Sequence, residues 1–206
     1  MILYCIRHGE TIANVAGQIQ GQSESPLSPL GIRQCEAVAA ALQGLPIDAV
    51  YTSPLSRAFD SARCIADALA APLHVEPRLL EINAGVFQGL SWTDIDERFP
   101  AEGKQWKSHD PDFRIPGGET RRELMHRARD AFSAIRETGA RQVVVVAHGG
   151  LLGAAFKALL EIPARKNPFL LQNGSISRLE WRQEVRLLSL NETGHLQGQC
   201  GSGGDL

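Results

Sequence analysis

Five polar side chains of this chain have the chemistry needed to move a phosphoryl group. Arg7 and Arg57 can each hold two phosphoryl oxygens, because a guanidinium group presents its N–H donors as a planar fork. His8 can act as a nucleophile once one ring nitrogen is held as N–H and the other faces its target. His148 can donate to a phosphoryl oxygen as negative charge develops, and Glu81 can protonate the leaving alkoxide. Because the cationic groups would neutralise that charge, we predict no metal ion and no cofactor.

Short apolar runs and amphipathic segments alternate along the chain and must position these residues. The predicted strands are Ile2–Ile6, Ala49–Thr52, Leu73–Val75, Leu79–Ile82 and Gln142–Ala147, followed by a closing hairpin of Ser177–Trp181 and Val185–Leu190. The predicted helices are Leu30–Gln43, Leu55–Leu69, Ser91–Phe99, Thr120–Thr138 and Leu151–Leu160. This alternation predicts an α/β fold, with helices covering both sides of a sheet.

The candidate residues fall where such a sheet collects functional groups, beyond the carboxyl ends of its strands. Arg7 and His8 follow the first predicted strand, Arg57 comes after the second, and His148 follows the most apolar one. Glu81 lies within a strand candidate. Each residue alone has a structural explanation, for instance a satisfied core histidine or a charge on a helix surface. Their joint placement favours a functional site.

Composition excludes several classes of protein. The 206 residues are 43% hydrophobic and 21% charged, with a net charge of −2, which is typical of one globular domain. Disorder, a fibre and a coiled coil are excluded, and the charge argues against nucleic-acid or membrane partners. None of the cysteines forms a CxxC pair or a zinc spacing, which indicates free thiols in a reducing compartment: Cys5, Cys35, Cys64 and Cys200. The chain begins too close to its first polar motif for a signal peptide, so we predict a cytoplasmic protein.

A set of polar and glycine-containing motifs runs in order along nearly the whole chain. The first is Arg7-His8-Gly9-Glu10-Thr11, which resembles the RHGE-[ST] signature of the histidine phosphatase (phosphoglycerate mutase-like) superfamily. Further matching positions follow in order: Asn14, Gln20-Gly21, Leu27-Ser28-x-x-Gly31-x-x-Gln34, Ser53-Pro54-Leu55-x-Arg57-Ala58, Glu81-x-x-x-Gly85-x-Phe87-Gln88-Gly89, Pro116-Gly117-Gly118-Glu119 and Val144-x-x-Ala147-His148-Gly149-Gly150. The first motif alone is moderately specific, whereas the ordered set is highly specific.

The resemblance implies a role for each site residue. His8 would become a phosphohistidine, and Glu81 would protonate the leaving group and then activate water. The phosphate pocket and substrate side would be formed by Arg7, Asn14, Gln20, Gly21, Arg57, His148 and Gly149. The implied fold is a three-layer α/β/α sandwich with a mostly parallel central sheet. We expect one domain over residues 1–197, with an excursion at about 83–119 forming a rim, and a disordered Gly-rich tail at 198–206.

Departures from the mutases of this family favour hydrolysis. Mutases usually carry an added segment after the Glu motif, with an arginine pair for the substrate carboxylate, but only 66 residues separate Glu81 from His148 here. Arg121-Arg122 follows the Pro-Gly-Gly-Glu motif rather than preceding it, and we interpret it as the solvated start of a helix. Where mutases have Tyr, Lys and Asn, this chain has Ala84, Trp92 and Gly150.

The sequence therefore predicts a metal-independent phosphomonoester hydrolase acting on a small phosphorylated metabolite. A phosphoglycerate mutase-type phosphotransferase and a non-catalytic phospho-ligand-binding protein stay open as alternatives. We expect no nucleic-acid or membrane partner, and either a monomer or a homodimer.

Two further features have two readings each. The aromatic residues after Glu81 either form a rim that suits an apolar or ring-bearing substrate, or pack the excursion against the domain: Trp92, Phe99, Trp106 and Phe113. The seven arginines from Arg114 to Arg141 either attract anions or, as we interpret them, are solvated residues of a helix.

Overall fold

A six-stranded sheet forms the centre of the computed structural model, which describes residues 1–165 and 168–197. The strands are β1 (Ile2–Arg7), β2 (Ala49–Thr52), β3 (Leu73–Val75), β4 (Gln142–Ala147), β5 (Ile176–Trp181) and β6 (Val185–Glu192). Their spatial order is β3-β2-β4-β1-β5-β6. The first four positions in that order are parallel, and β5 and β6 add an antiparallel hairpin at one side. The mostly parallel sheet is as the sequence predicts.

The residues that the structure describes form seven α-helices beside the sheet. They are α1 (Ile12–Val15), α2 (Pro29–Leu42), α3 (Ser56–Leu69), α4 (Trp92–Arg98), α5 (Pro100–Lys107), α6 (Arg121–Glu137) and α7 (Gly149–Leu159). The five predicted helices are confirmed to within two residues at each end. Capping boxes at Ser91 and Thr120 fix the starts of α4 and α6, since each cap side chain and the residue three positions on bond each other's main-chain N–H. None of the helices in the described ranges is both long and apolar enough to cross a bilayer.

Different helices cover the two faces of the sheet. Tyr4 and Ile6 point to the face covered by α2 and α3. Leu3 and Val145 point to the other face, which is covered by α6 and α7. This split follows from the strand geometry, because successive side chains leave a strand on opposite sides. The result is a three-layer α/β/α sandwich, which confirms the predicted fold class.

The register between the central strands β1 and β4 places two candidate site residues next to each other. Arg7, the last residue of β1, pairs with Ala147, the last residue of β4. The main-chain N–H of His8 then donates to the carbonyl oxygen of Ala147 at 2.9 Å. His8 and His148 therefore leave the sheet side by side, although 139 positions lie between them in the sequence.

The predicted strand at Leu79–Ile82 is wrong. A 3-10 turn occupies Pro77–Leu79, and no sheet partner joins the residues that follow among those described. Side chains form the hydrogen bonds to main-chain groups that a neighbouring strand would otherwise form. For example, Gln22 Nε2 donates to the Glu81 carbonyl at 3.0 Å. Leu79 and Ile82 are nevertheless buried, which explains why the pattern resembles a strand.

Two helices of the structure are absent from the sequence predictions. Helices α1 and α5 are not predicted, because α1 has four residues and α5 has a polar composition interrupted by Gly103.

The expected tail at 198–206, with Cys200, lies outside the described residues. Of the other cysteines, Cys5 and Cys35 are buried and Cys64 is half-buried, and all three are free thiols.

Candidate active site

The His8 ring is fixed in one tautomer by its neighbour. Its Nδ1 lies 2.7 Å from the carbonyl oxygen of Gly9. A carbonyl only accepts hydrogen bonds, so Nδ1 carries the proton and Nε2 keeps its lone pair. Burial, followed by the charges of Arg57 and Arg7, lowers the pKa of His8 well below its ordinary value. The ring is therefore neutral at neutral pH, which is the form a nucleophile needs.

His148 lies against His8 with its ring nitrogens unused. The two ring centroids are 5.2 Å apart in an edge-to-face arrangement. His148 is completely buried, and neither ring nitrogen has a hydrogen-bond partner within the described part of the chain. Burial and the charge of Arg57 lower the pKa of His148 too. One N–H of this neutral ring is thus available to a ligand at the His8 side.

Arg57 is an anchored cation in the first turn of α3. Its Nη1 donates to the carbonyl of Ser23 at 2.8 Å and its Nη2 to that of Gly21 at 2.6 Å. Nε is buried and, among the residues described, has no partner. Burial lowers the pKa of Arg57 to about 10, so it stays charged at neutral pH. The loop carbonyls orient the guanidinium and leave donors for an anion.

Arg7 is the second cation of this cleft. Its side chain is 4% exposed, and Nη1 donates to the carbonyl of Leu171 at 2.6 Å. The charges of Arg7 and Arg57 both act on His8 and on Glu81, so the four groups share one electrostatic environment. Two buried guanidinium groups beside a neutral nucleophile form a site suited to a phosphoryl group.

Glu81 is held by two main-chain N–H groups. Its Oε1 accepts from Ile82 at 2.8 Å and its Oε2 from Gly150 at 3.0 Å. Burial raises the pKa of Glu81 above its ordinary value, although these hydrogen bonds and the two arginines act in the opposite direction. A raised pKa suits a carboxyl group that must give up and recover a proton near neutral pH.

Gly150 makes room for the Glu81 carboxylate. A Cβ atom at position 150 would lie 2.6 Å from Oε1 of Glu81, closer than any real contact. Glycine at this position therefore decides where the Glu81 carboxylate can lie. The sequence analysis places Gly150 at the end of a family motif and as a departure from the mutase pattern, and neither observation predicts this contact.

The predicted site residues come together in one cleft. It is lined by Arg7, His8, Asn14, Gln20, Gly21, Arg57, Glu81 and Gly149, together with Gly17–Ile19, Trp92 and Gly150. His148 is the one predicted residue outside this lining, and it touches the cleft through the His8 ring. Oδ1 of Asn14 accepts from the main-chain N–H of Thr11 at 3.1 Å, so its amide N–H groups are the end left for a ligand.

A family model described as the histidine phosphatase superfamily, branch 1, matches residues 3–193. The chain belongs to this superfamily. It is 37% identical over 193 residues to a protein named "Probable phosphoglycerate mutase GpmB" of Yersinia pestis, covering 91% of this chain and 88% of that one.

Solved structures of similar proteins agree in fold. The α-ribazole phosphatase of Shigella flexneri has a TM-score of 0.85 and 28% identity, covering 93% of this chain and 96% of its own. A mycobacterial glucosyl-3-phosphoglycerate phosphatase, solved with VO3, has a TM-score of 0.83 and 33% identity, covering 93% and 99%. The chain is thus similar to enzymes with phosphatase names and to relatives with a mutase name.

In this member of the histidine phosphatase superfamily, an arginine on α6 holds the Glu81 segment. Nη1 of Arg127 donates to the carbonyl of Leu80 at 2.6 Å, and Nη2 donates to that of Glu81 at 3.1 Å. Nη2 also forms an ion pair with Glu119 at 2.8 Å. The same Glu119 oxygen accepts from the main-chain N–H of Asn83 at 3.2 Å. The Pro-Gly-Gly-Glu motif thus helps Arg127 to position the Glu81 segment.

The interpretation of the α6 arginines as solvated is wrong at two positions. Arg127 is half-buried by the contacts above, and Arg121 is buried because the start of α6 packs against Trp106 of α5. Arg122 follows the prediction: it is exposed and bonds Asp112. Sequence polarity alone cannot distinguish these cases, since the contacts come from other segments of the chain.

The aromatic residues divide between the two expected roles. Trp92 lines the cleft. Phe99 and Trp92 both lie near the buried Phe87 ring, at 6.4 and 6.5 Å between centroids. Trp106 is buried, and Phe113 packs against the same core. Only Trp92 of the four is therefore placed to meet a substrate in the cleft.

The loop at 171–174 supports the site and is not predicted from the sequence. Asn173 Nδ2 donates to the carbonyl of His8 at 3.0 Å, and the Gly174 N–H donates to that of Arg7 at 3.0 Å. Leu171 supplies the acceptor for the Arg7 side chain. The Asn-Gly dipeptide, a turn signal, is the one sequence feature that marks this loop.

Proposed function

We propose that this protein is a metal-independent phosphomonoester hydrolase that forms a phosphohistidine on His8. The observation that carries the proposal is the Nδ1 contact with Gly9, which leaves the Nε2 lone pair in a cleft with two buried arginines. Phosphate oxygens would be held by Arg7, Arg57 and His148. The proposal is supported by the phosphatase names of the similar solved structures.

The first step forms the bond from Nε2 to phosphorus and breaks the bond from phosphorus to the leaving oxygen. Glu81 gives its proton to that oxygen, so the product leaves as an alcohol. In the second step the Glu81 carboxylate takes a proton from water while the water oxygen attacks phosphorus. The nitrogen–phosphorus bond breaks, inorganic phosphate leaves, and both side chains return to their starting states.

Access of water supports hydrolysis. The mouth of the cleft includes Gly17 and Gln18, which are both exposed. A phosphohistidine on His8 would therefore be reachable from solvent, whereas a mutase must protect it from water. Glu81, held at the cleft by Gly150, is available to activate the incoming water molecule.

The direct test is to trap the intermediate. The protein is mixed with a ³²P-labelled aryl phosphate and quenched, and the label on the protein is tested for loss in acid. We expect acid-labile label in the wild type, none in His8→Ala, and unchanged label in the exposed control His126→Ala. Turnover should resist a chelator and be inhibited by vanadate. Full hydrolysis by His8→Ala would refute the mechanism.

A phosphoglycerate mutase is the second candidate, because the relatives named as such are 37% identical. The deciding assay measures interconversion of phosphoglycerates, with and without a bisphosphorylated primer, beside release of phosphate. We expect phosphate release to dominate. Interconversion well above phosphate release would establish the mutase instead. A panel of sugar phosphates, phosphoserine, nucleotides and α-ribazole phosphate, ranked by kcat/KM, would identify the substrate class.

A further inference from the structure

A second cavity with two buried cations lies beside the phosphate cleft. Arg121, at the start of α6, is 9% exposed, and Lys157, on α7, is 4% exposed. Both line a cavity whose wall also includes Trp106, Ile82 and Gly150. Gly150 lines the phosphate cleft as well, whereas Glu81 lines only the cleft. The second cavity thus adjoins the wall that carries the proton donor.

Arg121 has an unused donor in this cavity. Its guanidinium carbon lies 3.2 Å from the centre of the Trp106 ring, and Nη2 donates to the Trp106 carbonyl at 3.0 Å. Stacking uses the face of the guanidinium group and leaves its N–H edge for hydrogen bonds. Within residues 1–165 and 168–197, the buried Nη1 has no hydrogen-bond partner. An acceptor brought by a ligand would remove the cost of that unpaired donor.

Lys157 is also incompletely paired within the part of the chain that the structure describes. Its Nζ donates to the carbonyl of Ala164 at 3.3 Å, which uses one of the three N–H bonds of an ammonium group. Burial and then the charge of Arg121 lower the pKa of Lys157, so the two cations act on each other. Burial lowers the pKa of Arg121 to about 10, and the charge of Asp110 opposes this shift more weakly.

No carboxylate in the described part of the protein forms an ion pair with either cation. Two like charges taken out of water are costly unless an anion accompanies them. The cavity therefore has the donors and the charge for one anionic group.

We propose that Arg121 and Lys157 bind a carboxylate or phosphate group in this cavity. The group has two possible sources, a second anionic group on the substrate or a separate small anion. The substrate source rests on the proposed hydrolase function, whereas the binding site itself does not.

Binding is tested through the Trp106 indole N–H, since Trp106 stacks on Arg121 and is one of three tryptophans. Its signal in a ¹⁵N-correlation spectrum is assigned with Trp106→Phe and followed during titration with sodium sulfate or sodium acetate at constant ionic strength. We expect a saturable shift. Arg121→Gln and Lys157→Met should each weaken binding by about 10- to 100-fold, the loss of one charged hydrogen bond. Arg122→Gln, at the exposed neighbouring position, is the matched control and should bind as the wild type does.

The source is tested with two substrates of similar size, ethyl phosphate and phosphoglycolate. If the substrate supplies the anion, Arg121→Gln lowers kcat/KM for phosphoglycolate alone. If a separate anion binds, Arg121→Gln has the same ratio of kcat/KM for phosphoglycolate to kcat/KM for ethyl phosphate as the wild type. The wild type still shows the saturable Trp106 shift in that case. The proposal is overturned if the wild type shows no saturable shift of the Trp106 signal, or if both variants show the same shift as the wild type. If Arg121→Gln does not fold, the titration of Lys157→Met alone decides between these outcomes. A failure of the His8 trapping test would remove the hydrolase function and leave the binding result standing.

Discussion

The two sides of the cleft are held in place by different kinds of contact. The histidine side is fixed by main-chain pairing, because β1 and β4 end in register and place His8 and His148 together. The Glu81 side has no sheet partner in the described residues and depends on side chains and on one glycine. Strand pairing tolerates most side-chain changes, whereas a segment held by an arginine moves when that arginine is lost. Substitutions should therefore affect the two sides differently.

The largest effect is expected for Glu81→Gln, which removes the proton donor. Turnover of alkyl phosphates should fall by about 10²-fold or more, because the leaving alkoxide is no longer protonated. An aryl phosphate with a good leaving group should lose much less. The measurement is kcat for both substrates, and equal losses would mean that Glu81 has another role.

The pH profile of kcat/KM tests the same residue. Activity needs protonated Glu81, so it should fall as pH rises through a pKa that burial holds above the ordinary glutamic acid value. Glutamine cannot ionise, so the alkaline limb should disappear or move in Glu81→Gln. An unchanged alkaline limb in that variant would assign it to another group.

A smaller effect is expected for Gly150→Ala. The added Cβ would displace the Glu81 carboxylate, and we expect kcat for alkyl phosphates to fall by about 10- to 100-fold. Gly194→Ala is the matched control, since a Cβ there meets nothing within 4 Å. A fully active Gly150→Ala would show that Glu81 has other productive positions.

Arg127→Gln should have a milder effect than either. Without the bonds from Arg127 to the carbonyls of Leu80 and Glu81, the donor segment loosens, and we expect about a tenfold loss of kcat for alkyl phosphates. Arg129→Gln on the exposed side of the same helix is the control. Equal activity of the two variants would mean that the segment does not need its arginine.

The smallest effect on activity is expected on the strand side. Val145→Ala in β4 removes two buried methyl groups and should lower the free energy of unfolding by about 2 kcal/mol. The ratio of kcat for aryl and alkyl phosphates should stay at the wild-type value, because main-chain pairing still places the histidines. Denaturant unfolding and the two rates measure this, and a changed ratio would contradict the comparison.

The same division explains what the sequence could predict. The strand ends are marked by apolar, β-branched runs followed at once by polar residues, so the positions of Arg7 and His148 follow from the pattern. Glu81 is different, because its surroundings come from Arg127, Glu119 and Gly150, which are remote in sequence. Local pattern cannot contain those contacts, and the apolar residues around Glu81 resemble a strand instead.

Arg121 shows the same limit from the opposite direction. Its charge and its place at a helix start predict solvent exposure, yet the Trp106 ring of α5 covers it. The helix α5 itself is not predicted, so neither the cover nor the cavity beside it could be inferred from the sequence.

The in-register pairing of β1 and β4 has a consequence for how the enzyme is made. During synthesis His8 is made first, and its neighbour His148 follows 140 residues later. The loop that accepts bonds from Arg7 and supports His8 comes later still, at 171–174. The cleft can therefore assemble only after the loop at 171–174 has been made, because contacts between such distant segments close last. An interrupted translation product ending before that loop would carry the reactive histidine without the pocket that activates it.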